Sequence, residues 1–143
     1  MIYLLRHGDA EQDDGDDAAR RLTEEGERQS RVAGRALAKL GANVDACLTS
    51  PKVRAADTAR LACEALGIEP EEEARLRGGA FDSLEVTAGR GDAILVGHEP
   101  YFSAEIARLT GAKAKLRKGG VAILDGGTLV ALLRPEDLAA IAQ

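Results

Sequence analysis

Tryptophan is absent from these 143 residues, and Phe and Tyr contribute only two each. With so few rings to fill space, the abundant Ala and Leu must build the interior, which implies helices lying closely on a sheet. Cysteine occurs twice, too seldom for a disulfide framework or a zinc knuckle. Cys47, in the run DACLTS, and Cys63, four residues after Ala59 on a helical face, read as small buried hydrophobes. Basic residues are outnumbered, 19 Lys and Arg against 24 Asp and Glu, for a net charge of −5 and a pI near 5.1. That balance argues against nucleic acid as a general partner, which would need a basic surface. No apolar run approaches the ~20 residues of a membrane span. The opening MIYLLRHG is too short, and too poor in leading charge, for a signal peptide. No membrane partner and a cytoplasmic location are therefore expected. Repeats, low-complexity tracts and linkers are missing as well, and the length suits a single domain, 1–143.

The most informative scarcity is histidine. There are two, His7 and His98, and each closes an apolar run: IYLLRHG at the start and ILVGHEP later. Around them the chain alternates strand and helix signals. Ile2–Leu5 reads as a buried strand, followed by an acidic loop carrying Asp13, Asp14, Asp16 and Asp17. Thr23 suits a helix N-cap, with Glu24 and Glu25 in the first turn and an apolar face running to about Leu40 before Gly41. Ala46–Thr49 is a second short strand. Ser50-Pro51 then predicts a helix start, with Ser as N-cap and Pro at the first helical position. Ala55, Ala59, Ala62 and Leu66 form that helix's buried face, and Gly67 ends it. Beyond it we expect a short strand near Ala74–Leu76, a short helix near Asp82–Ala88, a strand at Ala93–Val96 and a helix from about Pro100 to Leu109. Val121–Leu124 and Leu129–Leu133 flank a hairpin turn at Asp125-Gly126-Gly127, and Pro135 opens a last helix.

This order predicts an α/β fold, a three-layer sandwich whose mainly parallel, mixed sheet is flanked by helices. In such sheets ligands bind beyond the carboxyl ends of the strands. Arg6, His7, His98 and Ser50-Pro51 all fall at that edge, with Arg54 in the first turn of the helix that follows. Two guanidiniums offer forked donors for phosphate oxygens, a helix start offers amides, and Gly8 allows close backbone approach. Taken singly each has a plain alternative: Arg54 a solvated helix residue, His98 a helix cap. Their shared placement favours an anion site. If the anion is phosphate, a neutral imidazole can attack phosphorus and leave a phosphohistidine for water to hydrolyse. This scheme needs no cofactor, and two histidines without clustered cysteines do not suit zinc.

With these residues in view, the chain resembles the histidine phosphatase superfamily, the fold shared with phosphoglycerate mutases, and within it the small SixA-type phosphohistidine phosphatases. LLRHGDA (4–10), RRLTEEG (20–26), LTSPKVRAADTA (48–59) and VGHEP (96–100) carry the resemblance. It implies His7 as the phosphorylated nucleophile and His98 as the second catalytic imidazole. It also implies Arg6 and Arg54 at the phosphate, where Gly8 is already placed by its close backbone approach, with Arg20 as a further basic position beside Arg21, which replaces the usual Pro. Asp9, Glu99, Asp82 and Glu85 stand open as general acids. The segment between Leu66 and Ala93 leaves little room for a lid. That favours a protein-borne phosphohistidine over a small phosphoester or sugar phosphate, with a non-catalytic phosphate-dependent binding module as the reading from another class. The acidic loop is either a plain solvated loop or a selector for basic features on a partner.

Overall fold

Strand β1 (Ile2–Arg6) buries both of its faces, which is why its sequence is continuously apolar rather than alternating. Tyr3 and Leu5 point to one side of the sheet and Leu4 to the other. The computed structural model describes residues 1–12 and 14–143; Asp13 of the acidic loop lies outside the described residues. After β1 come α1 (Glu24–Lys39), β2 (Ala46–Thr49), α2 (Val53–Leu66), β3 (Pro70–Glu72), the one-turn α3 (Ser83–Val86) and β4 (Ala93–Gly97). The chain continues with α4 (Tyr101–Thr110), β5 (Val121–Asp125), β6 (Thr128–Leu133) and α5 (Pro135–Ala142).

The six strands lie in the order β3-β2-β4-β1-β5-β6. β3, β2, β4 and β1 run parallel, and β5 is antiparallel to both β1 and β6, so the sheet is mixed as expected. One face is covered by α1, α2 and α5, where Val32, Ala36, Leu37, Ala55, Ala59, Ala62 and Leu138 meet Tyr3, Leu5, Ile94 and Val96. The opposite face holds Leu4, Leu48 and Leu95 against Phe102 and Ile106 of α4, Val86 of α3, and Leu76 and Leu116. Small residues let the layers close. At Gly34 of α1 a Cβ would stand 2.1 Å from the Ala62 carbonyl oxygen of α2, so the two helices touch backbone to backbone.

Thr23 caps α1 as the sequence implies: its Oγ1 accepts the Gly26 amide at 3.0 Å, and three glutamates in the first turn suit the positive end of the helix dipole. Two expectations are corrected. α2 begins at Val53, after Lys52: Ser50 Oγ accepts the Lys52 amide at 3.2 Å, which forms a tight turn ahead of the helix instead of its first turn. Ala74–Leu76 is a 3₁₀ turn, nucleated by Glu73, whose carboxylate accepts the Arg75 amide. The strand is the polar Pro70–Glu72, which pairs only with β2 at the sheet edge, where exposed side chains are tolerated.

Candidate active site

Three parallel strands end level with one another. Arg6 of β1 lies beside Gly97 of β4, and Val96 of β4 beside Thr49 of β2, so the residues that follow each strand emerge together. The His7 amide donates to the Gly97 carbonyl at 3.1 Å and the Ser50 amide to the Val96 carbonyl at 2.9 Å, extending the sheet one step into the site. The two imidazoles lie side by side, centroids 5.3 Å apart with their planes tilted by 55°, and are 6% and 5% exposed.

The tautomer of His7 follows from its neighbour. His7 Nδ1 lies 2.7 Å from the Gly8 carbonyl oxygen, which can only accept, so Nδ1 carries the hydrogen and Nε2 keeps its lone pair. Arg54, buried in the first turn of α2, sets its Nε 3.4 Å from that Nε2. Burial pushes the His7 pKa down to about 4. The charges of Arg54, Arg6 and Lys118 push the same way, against the Gly8 hydrogen bond. His98 is lowered to about 3, first by burial and then by His7 and Arg54. Both rings are neutral at physiological pH. His98 Nε2 sits 2.8 Å from Ser50 Oγ, and its Nδ1 is buried without a hydrogen-bond partner among the described residues.

Behind these groups lies a polar joint that sequence reading passed over. Thr58, buried on α2, donates from Oγ1 to the Arg54 carbonyl at 2.7 Å and accepts the Gly8 amide at 3.1 Å. Ser30 of α1 donates to the Gly26 carbonyl at 2.7 Å and lies 3.2 Å from the same Thr58 oxygen. The strand end carrying His7 is thereby tied to the helix turn carrying Arg54. A hydroxyl inside the apolar stripe of 55, 59 and 62 was the available signal.

Arg6 is half-buried; its Nη1 donates to the Leu116 carbonyl at 3.0 Å, and its Nε is buried without a partner among the described residues. Gly8 uses its amide on Thr58 and its carbonyl on His7, so its contribution is to the backbone path rather than a free donor. Arg20 donates to the Glu11 carbonyl and to Asp17 Oδ1, while Arg21 is exposed. Asp17 is the unexpected member. Its carboxylate meets Lys52 at 3.1 Å, Arg54 at 3.2 Å and Arg20 at 3.1 Å, and these partners, Lys52 foremost, hold its pKa far below the usual carboxylate range. The acidic loop thus turns one of its charges onto the cations beside the site.

Of the four carboxylates left open as acids, three are occupied and the fourth lies elsewhere. Asp9 accepts Thr23 Oγ1 at 2.8 Å and meets Lys118 at 3.4 Å, and its pKa is lowered chiefly by the Thr23 bond. Glu99 accepts the Ser103 amide and hydroxyl and the Leu116 amide. Asp82 caps α3 and meets Arg108, and Glu85 lines a separate cleft with it. Among the described residues no group of three His, Cys, Asp or Glu side chains converges to hold a metal ion, and no helix is long and apolar enough to cross a membrane.

The family model described as the histidine phosphatase superfamily (branch 1) matches residues 2–90, more than half of the chain. The chain belongs to that superfamily. A SixA phosphohistidine phosphatase homologue from Haemophilus influenzae is 31% identical over 128 residues, spanning 78% of each chain. An uncharacterised protein from Picosynechococcus is 36% identical over 140 residues, 88% of this chain and 85% of that one. Among solved structures, the protein histidine phosphatase SixA in complex with tungstate superposes with a TM-score of 0.83 at 25% identity, covering 96% of this chain and 98% of that one. In this histidine phosphatase fold the connection from α2 to β4 holds only β3, a 3₁₀ turn and the single turn of α3. The sheet edge carrying the two imidazoles accordingly has no helical insertion above it from that segment.

Proposed function

We propose that this chain is a metal-independent phosphatase that works through a phosphohistidine on His7, and that its substrate is a phosphohistidine borne by another protein. The observation that carries the proposal is the neutral His7 ring, its Nδ1 hydrogen held by Gly8 and its Nε2 lone pair beside Arg54. Nε2 attacks phosphorus in line, the substrate P–N bond breaks, and the leaving imidazole takes a proton from water. Water then attacks the phosphoryl group, Nε2 leaves with its electron pair restored, and orthophosphate departs. Arg54 and Arg6 are assigned to the growing charge on the equatorial oxygens, and the unpartnered Nδ1 of His98 to one of those oxygens. A structurally similar protein complexed with tungstate, a tetrahedral oxyanion, supports oxyanion binding by this fold.

The substrate class is supported by the acids. Asp9, Glu99 and Asp82 are taken up by other contacts, so none stands ready to protonate an alkoxide. Exchanging one imidazole–phosphorus bond for another needs no strong acid, whereas an alkyl phosphate does. The short α2–β4 connection leaves the sheet edge accessible to a macromolecule.

Phosphate release from a phosphohistidine-bearing protein, in EDTA, tests this reading. Wild type is expected to turn over and His7→Ala to be inactive, with acid-labile phosphate trapped on wild type alone. Activity retained in His7→Ala, or lost to the chelator, would overturn the mechanism. Turnover of small phosphoesters alone would overturn the substrate.

A further inference from the structure

One cationic run in the sequence has no part in the scheme above. AKAKLRK, residues 112–118, joins α4 to β5 and puts four basic residues into seven positions, with no acid among them, in a chain of net charge −5. It forms no helix and pairs with no strand. Even so, it alternates as an extended chain does: Ala112, Ala114 and Leu116 rest on the core of the sheet face that α4 covers, and Lys113, Lys115 and Arg117 are exposed. Leu116 is fully buried, and both of its backbone groups are held. Its amide donates to Glu99 Oε2 at 3.3 Å, and its carbonyl accepts Arg6 Nη1 at 3.0 Å. The strap is thus fastened to the residue after His98 and to the residue before His7.

Between this strap, α1 and α5 runs an open groove of about 740 Å³ with Arg6 in its wall. Arg28, Lys115, Arg117 and Lys118 line it as well, against the carboxylates of Glu25 and Glu136. Glu25 is taken up by a two-pronged pair with Arg28. Glu136 approaches Arg117 only at 3.4 Å, Lys118 meets Asp9 at the same separation, and Lys115 has no ion-pair partner among the described residues. One carboxylate of the acidic loop, Asp17, is turned to Lys52 and Arg54 rather than to this groove.

We propose that the groove leading away from Arg6 is a docking surface for an acidic polypeptide, the face that flanks the phosphohistidine on the partner. The inference rests on the phosphohistidine reading and names the character of its substrate: carboxylates beside the phosphorylated residue, aligned along the 113–118 strap. Exposed charges of this kind act mainly on encounter and selection, and salt screens them.

The test uses two phosphohistidine peptides of equal length, one flanked by Asp and Glu and the other by Asn and Gln, with p-nitrophenyl phosphate as a reporter of the intact catalytic pocket. Wild type is expected to favour the acidic peptide by about tenfold or more in kcat/KM at low salt, the preference fading as ionic strength rises. In Lys115→Glu/Arg117→Glu the preference collapses while p-nitrophenyl phosphate turnover is kept; Lys115→Gln/Arg117→Gln repeats the test without adding charge. Equal use of the two peptides, or a preference that survives both double variants, overturns the docking surface. If p-nitrophenyl phosphate is hydrolysed and neither peptide is, the phosphohistidine reading falls and takes the docking surface with it. Competition by a single-stranded RNA that exceeds competition by polyglutamate would reassign the groove to nucleic acid and overturn the inference.

Discussion

Arg54 holds Asp17 at two points: Nη1 donates to the Asp17 carbonyl at 2.7 Å and Nη2 to its carboxylate at 3.2 Å. The guanidinium we propose as a phosphate clamp is therefore already engaged by an anion of the same chain, and a phosphoryl oxygen binding there would compete with that carboxylate for Nη2. Asp17→Asn keeps the backbone contact and removes the charge. Orthophosphate is expected to inhibit this variant roughly three- to tenfold more tightly than wild type at neutral pH, the scale of one partly screened charge. An inhibition constant that is unchanged or weaker would show that Asp17 orients Arg54 rather than competing for it.

The depressed histidines set the pH behaviour. His7 with a pKa near 4 is neutral through the range where a free imidazole titrates, so the acid limb of kcat/KM is expected near pH 4 rather than 6.5. Stability has its own window. Below about pH 6.5 the unfolded chain protonates this ring while the folded chain does not, so stability falls as pH drops from about 6.5 towards 4 and stops falling on this account below it. For His7 the loss is on the order of 3 kcal/mol. Denaturant midpoints measured across that range should decline in wild type and decline less in His7→Gln.

Gly8 permits a backbone crossing. A Cβ there would stand 2.5 Å from the Gly26 carbonyl oxygen and 2.9 Å from its Cα, both backbone atoms of α1. Neither can swing aside, so Gly8→Ala must move the strand end or the helix. We expect a loss of about 1–3 kcal/mol, the range for overfilling a tight contact. Turnover should fall further, because the Gly8 carbonyl fixes the His7 tautomer. Thermal unfolding and kcat measured together separate the two effects.

Thr58→Val retains shape and removes the oxygen that serves the Gly8 amide and the Arg54 carbonyl. A buried donor left unpaired costs about 1–3 kcal/mol. The more telling readout is kcat, which should fall while Thr58→Ser, restoring the hydroxyl, recovers most of it. Equal kcat in all three proteins would reduce Thr58 to a core residue.

Much of this architecture was legible in the chain because its signals are local. Thr23 with its glutamates, Gly67 after an alanine stripe and Gly126-Gly127 between two apolar runs each specify backbone geometry within a few residues, and the structure follows them. The expectation failed at three places, each for its own reason. Ser50 looks like a helix cap, but its hydroxyl is shared between the Lys52 amide in a preceding turn and His98, 48 positions away. Glu73 converts an apparent strand into a 3₁₀ turn, and the true edge strand is too polar to show a strand pattern.

By itself the sequence determined which residue types could meet: two imidazoles and two arginines at strand ends and a helix start, because strand direction and helix capping follow from short-range sterics and hydrogen bonding. Only the tertiary structure decided their states. That His7 is neutral, that its Nε2 is the unprotonated nitrogen, that Asp17 sits on Arg54 and that residues 112–118 lie as a basic strap beside Arg6 all depend on burial and on charges brought close from far along the chain. Desolvation and Coulomb energies vary with distance in space, and distance along the sequence does not reveal it.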